Sequence, residues 1–106
     1  MTTFDKREDT FERKFALDEE QKFKAEARRN KLFGLWVAGR LGISGDTADA
    51  YARDVVNADF EPGGDGVVRK VSGDLGAKGI AFTEAELHAK LNELMAQAIV
   101  QVKGGT

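Results

Sequence analysis

Cysteine is absent from this chain, which excludes disulfide and thiol chemistry and fits a reducing compartment. Histidine occurs once, at His88, so no second imidazole or thiolate is at hand to complete a transition-metal site. On a polar stretch of helix His88 reads as solvated filler. Ser44 and Ser72 have no base at a suggestive spacing. The glycines between Gly63 and Gly79 never take the phosphate-loop form, because Gly73-Asp74-Leu75-Gly76 is not followed by Lys and Ser or Thr. No apolar run approaches the roughly 18 residues of a membrane span, and the first residues carry no signal-peptide core. A dense basic patch is missing as well: the net charge is −2, which argues against nucleic acid as the main partner. These absences lead to an expectation of a soluble, cytoplasmic protein that is not an enzyme.

What is present is helical pattern. Apolar residues make up 42 % of the chain and charged ones 32 %, enough for one modest core with a segment left outside it. Asp18 to Leu41 is the organising stretch. Asp18 is a good N-cap with Gln21 at N3 and with Glu19 and Glu20 in the first turn. Asp18–Lys22 and Glu20–Lys24 are acid-first i,i+4 pairs. Ala25, Leu32, Leu35 and Trp36 recur at helical spacing, and Gly42-Ile43 forms a stop in which Gly42 takes the left-handed position. A second helix is expected from an Asp46 cap to about residue 59, on a stripe of Ala48, Tyr51, Ala52, Val55 and Val56. Phe60-Glu61-Pro62-Gly63-Gly64 ends it. A third runs over about 65–78 on Val67, Val68, Val71 and Leu75. Its glycines each cost up to about 1 kcal/mol relative to Ala, so a short strand at Val67–Val71 is the alternative. The fourth, about 83–103, opens on the capping box Thr83-Glu84-Ala85-Glu86 with Phe82 and Leu87 as a hydrophobic staple. Leu87, Leu91, Leu94, Met95, Ala98 and Val102 continue it. The fold class is all-α: a four-helix bundle over 18–104 with a flexible N-terminal arm that can become helical.

The arm, residues 1–17, is a separate unit. Phe4, Phe11 and Phe15 fall within about a 40° arc of a helix, among eight charged side chains. That face does not continue past Asp18, where its next positions are Lys22, Glu26 and Arg29. Two readings stand: a fifth element tucked on the bundle, or an amphipathic helix that folds into a partner's groove. A second candidate is the basic run Arg28-Arg29-Asn30-Lys31 beside Trp36. It reads either as a solvated face whose stems cover apolar surface or as a cradle for ATP or ADP. A helix–turn–helix over 46–78 is set aside because those helices are net acidic. A plain helical adaptor is the third reading of the whole chain.

Several motifs resemble the zeta subunit family, small inhibitor proteins of the F-type ATP synthase in alphaproteobacteria. They are Phe4-Asp5-Lys6-Arg7-Glu8, Phe11-Glu12, Lys14-Phe15-Ala16, Asp18-Glu19-Glu20, Phe23-Lys24-Ala25, Ala27-Arg28-Arg29-Asn30-Lys31-Leu32 and Gly34-Leu35-Trp36. The likeness runs on through Ala50-Tyr51-Ala52, Val55-Val56, Ala58-Asp59-Phe60-Glu61 and Glu93-Leu94-Met95. It departs at Gly39, where the family carries a helix former, and in the glycine-rich third helix. The resemblance implies a four-helix protein, monomeric when free and peripherally associated with the membrane-bound synthase. Its arm would enter the interface of catalytic and non-catalytic subunits in the rotary head, become helical and wedge against the rotor, stopping ATP hydrolysis. Carried onto this sequence, the inhibitory residues are Phe4, Lys6, Arg7, Phe11, Arg13, Lys14 and Phe15. No cofactor is expected; weak binding of ATP or ADP is the reading of the basic run beside Trp36 alone.

Overall fold

A computed structural model describes residues 18–60 and 65–104. The expected helices form over the described residues: α1 Glu19–Leu41, α2 Gly45–Ala58, α3 Gly66–Ala77 and α4 Glu84–Lys103. Helix α1 is the hub. It lies between α2 and α4, with α3 closing the far side against all three.

The start of α1 is chemically complete in itself. The Asp18 carboxylate accepts from the Gln21 N–H at 2.7 Å, and the Gln21 side chain accepts from the Asp18 N–H at 3.4 Å. That use of the Asp18 carboxylate explains why only the second expected charge pair, Glu20–Lys24 at 3.1 Å, is made. Exposed as it is, it adds a few tenths of a kcal/mol. At the other end Gly42 sits at φ 79°, and the Ile43 N–H reaches back to the Ala38 carbonyl at 3.0 Å, the expected left-handed stop.

The run from Leu32 to Ala38, apolar or Gly at every position, is expected to be the core half of α1, and it does supply the core through Phe33, Gly34, Val37 and Ala38. The single stripe within it is displaced. Ala25 is buried, but Leu32, Leu35 and Trp36 are only half-buried. The centre of the core is Phe33 and Val37, fully enclosed with Val55, Val71, Leu75 and Leu87. A helix covered by three neighbours has several buried directions, so a single stripe misplaces its axis.

Gly34 faces α2 at closest approach: a methyl group added there would stand 2.7 Å from the Ala52 Cα. The two backbones therefore meet with almost nothing between them.

Helix α2 begins one residue before the expected start. Ser44 takes the N-cap position and Asp46 falls in the first turn, where its charge still suits the dipole. Helix α3 forms despite its glycines. Gly66 is the first helical residue, whose N–H has no intrahelical partner in any case, while Gly73 and Gly76 face open space. Asp65 stands at the N-cap but gives its carboxylate to Arg69 at 2.7 Å. Gly79 at φ 71° and the Ile80 N–H on the Leu75 carbonyl at 3.0 Å repeat the stop seen after α1. The Tyr51 hydroxyl donates to Asp74 at 2.7 Å, joining α2 to α3, and Lys70 lies 3.2 Å from the same carboxylate oxygen. Desolvation first, then the hydrogen bond to Asp74 and the charges of Asp74 and Asp54, hold the phenol well above its ordinary pKa.

At α4 only half of the expected capping box is found. Thr83 Oγ1 accepts from the Glu86 N–H at 3.1 Å, but the Glu86 carboxylate turns to Arg40 at 2.8 Å. On Arg40 the carboxylate meets a full positive charge, whereas at the cap it would meet only a neutral N–H.

Candidate functional site

Among the described residues, a groove of 740 Å³ runs along α1 from Gln21 to Leu35. Phe23, Ala27, Leu32 and Leu35 supply its apolar surface, α2 adds Val56, and α4 adds Gln101 and Val102. Lys24, Arg28 and Lys31 give it a positive edge. Arg28 is held in place by a 3.2 Å hydrogen bond to the Gln101 side chain. Behind the Phe23 ring lies a smaller hollow of 220 Å³ with Glu26, Asp59 and Phe60 in its lining. Phe23 and Phe60 form the ridge between these spaces, their centroids 6.4 Å apart. They are 59 % and 67 % exposed, unusual for large aromatic rings that already touch each other.

The four residues of the expected nucleotide cradle are divided. Arg28 and Lys31 line the groove. Arg29 turns to α2, donating to Asn30 Oδ1 at 3.0 Å and lying 3.8 Å from Asp59. Trp36 is about 140° around the helix from Lys31 at 100° per residue. Its ring stacks on Phe33 at 5.8 Å and takes Arg40 and Lys90 over its face at 4.6 and 5.3 Å. Their adjacency in the sequence hid this, since neighbours in a helix point apart. The arm residues Phe4, Lys6, Arg7, Phe11, Arg13, Lys14 and Phe15 lie outside the described residues.

Sequence reasoning missed Phe23 and Phe60 as surface features. The signal was available, because both are large aromatics belonging to no stripe, one in the charged half of α1 and the other directly before the Pro62 break.

A small all-helical bundle whose open surface is an apolar, positively edged groove has the build of a protein that works by contact with another molecule. The model of the family described as ATPase inhibitor subunit zeta matches residues 1–101, and the chain belongs to that family. Its members are regulatory subunits by description, so association with the ATP synthase follows at that level. A solution NMR structure is similar, with 57 % identity, a TM-score of 0.69, and coverage of 80 % of this chain and 98 % of its own. No curated protein matches. Among the described residues no helix is long and apolar enough to cross a membrane.

Proposed function

We propose that the chain blocks ATP hydrolysis by an F-type ATP synthase by inserting residues 1–17 at a catalytic interface of the rotary head. The observation that carries this reading is a mismatch of boundaries. The bundle starts at its own finished cap on Asp18, yet the family match begins at residue 1. The first 17 residues thus belong to the family pattern without being needed to start the fold.

In this mechanism Phe4, Phe11 and Phe15 are the anchors, and Lys6, Arg7, Arg13 and Lys14 steer and orient the arm. A buried aromatic anchor is typically worth about 2 kcal/mol or more to an interface, whereas a rim charge is often worth under about 1 kcal/mol and acts mainly on association. Phe11→Ala should therefore raise the inhibitory concentration by roughly 30-fold, at 1.4 kcal/mol per decade. Lys6→Ala and Arg13→Ala should cost less, and their effect should shrink with salt. Hydrolysis by the isolated catalytic head, measured at low and high ionic strength, tests this. If the charge variants lose more than Phe11→Ala under both conditions, the aromatic face is not what the partner holds.

Adenine nucleotide binding is a second reading, supported by Arg28 and Lys31 on one groove. With Arg29 and Trp36 engaged elsewhere and no phosphate loop nearby, the affinity should be weak, with a Kd of about 1 mM or above, equivalent to no more than about 4 kcal/mol. Titration with ATP should move the Arg28 and Lys31 amides and leave Arg29 and Trp36 in place. Tight saturation across all four would restore the single cradle.

A further inference from the structure

We propose that the groove along α1 is a second docking surface for the enzyme that the chain inhibits, and that it takes an acidic amphipathic helix of that enzyme. The inference rests on the inhibitory reading for the identity of the partner, and adds a contact made by the bundle itself.

The groove is built on the side of α1 that the core does not use. Lys24, Arg28, Lys31 and Leu35, all in its lining, stand at i, i+4, i+7 and i+11. They fall within about a 60° arc whose centre lies about 170° around the helix from Phe33. Together they form a straight seam, with Phe23 and Ala27 on one flank and Leu32 on the other. This is the spacing by which a helix offers one line of side chains to a second helix. From Gln21 to Leu35 the seam is about 21 Å long, the length of a helix of about 14 residues.

Charge fixes the kind of helix. The chain as a whole is acidic, at net −2, yet the groove is lined by Lys24, Arg28 and Lys31 and by no carboxylate. Arg28 bonds the neutral Gln101 side chain, and Lys31 is exposed with no acidic partner among the described residues. Elsewhere on the bundle Arg40, Arg69 and Lys70 each meet a carboxylate at 3.2 Å or less. A row of unmatched positive charge between apolar flanks suits a helix with carboxylates along its centre and apolar side chains beside them. Phe23 and Phe60, exposed at the groove's edge, add the large apolar surface that anchors such a contact. A nucleotide would engage the cations but leave Phe23 or Leu35, about 18 Å apart along α1, uncovered.

One helix in one groove is a weak contact by itself. Joined to the arm in a single chain, it acts at an effective concentration of about millimolar order, so the two contacts together hold the enzyme more tightly than either alone.

Inhibition of the isolated catalytic head by full-length variants tests this. Phe23→Ser should raise the inhibitory concentration by roughly tenfold at any ionic strength. Lys31→Glu should match it at low ionic strength and lose its effect as salt rises, while Lys31→Arg should stay within about twofold of the parent. Both side chains are exposed, and thermal unfolding of each variant checks that the bundle is intact. The absence of cysteine allows a second readout that does not depend on activity. Phe60→Cys carrying a benzophenone label, one aromatic group for another, should cross-link to a helix of the catalytic head that bears carboxylates at helical spacing. Adducts on the chain itself, on a second copy or on a segment without carboxylates overturn the proposal. If Phe11→Ala leaves inhibition unchanged while Phe23→Ser and Lys31→Glu weaken it, the arm reading falls and the groove stands. If Phe11→Ala alone weakens it, the groove falls and the arm stands.

Discussion

Replacing residues 1–17 by a single methionine should abolish inhibition of ATP hydrolysis and leave the bundle folded. Three aromatic anchors of about 2 kcal/mol each, even with incomplete additivity, put the loss beyond about 100-fold. The bundle has little to lose. The Asp18 carboxylate and the Gln21 side chain cap the start of α1 between themselves. Among the described residues the core of Phe33, Val37, Val55, Val71, Leu75 and Leu87 is closed by the four helices alone. The added methionine keeps an amide on Asp18, so the N–H that the Gln21 side chain accepts from is retained and the positive terminus stands one residue back from the cap. The stability change should stay within about 1 kcal/mol, a shift of about 4–8 °C at most for a domain of this size. Thermal unfolding and the hydrolysis assay on the same preparation separate the two effects. A truncated chain that inhibits as well as the full one would sink the proposed mechanism.

The largest change in stability should come from a glycine. Gly34→Val places branched carbons where even a single methyl meets the Ala52 Cα at 2.7 Å and the Val55 Cβ at 3.2 Å. The obstacle is backbone, which cannot rotate away, so α1 and α2 must part. Overpacking of this kind costs about 1–3 kcal/mol and more where no side chain can yield. Against it stands a gain in helix propensity of only a few tenths of a kcal/mol for Val over Gly. We expect a net loss near 3 kcal/mol. Ala52→Gly should not rescue it, because the blocking atom is the Cα rather than the methyl. Gly39→Ala is the matched control. It has nothing within 4 Å and should gain about 0.5–1 kcal/mol. Denaturant unfolding of the set decides. Equal effects at Gly34 and Gly39 would mean that the helix seam is not tightly closed.

The helices were legible because their ends are written in local chemistry. Asp18 with Gln21, Gly42 with Ile43, and Thr83 act through neighbours within five residues, and each acts as its sequence suggests. Gly79-Ile80 is the same stop as Gly42-Ile43 and was equally readable, though the glycines around it obscured it. What sequence could not give was direction in space. Glu86 looked like a capping residue until Arg40 stood beside it, and Trp36 looked like part of a basic cradle until Phe33 and Lys90 claimed its faces. The groove is a tertiary object, made of three helices, and no window of sequence contains it.

That composition fixes when the groove appears during folding. The tight turn after Gly42 brings α2 back onto α1 across the Gly34 seam, a local hairpin with a short loop to close. The opposite wall arrives through contacts such as Arg28 with Gln101, 73 residues apart. Closing that longer loop costs about 1 kcal/mol more in chain entropy, and such contacts form later than local ones. A chain with α1 and α2 paired but α4 still loose has a helical hairpin and no seat for anything along it. The groove is therefore completed by the last docking event, and its presence reports that the whole bundle has closed.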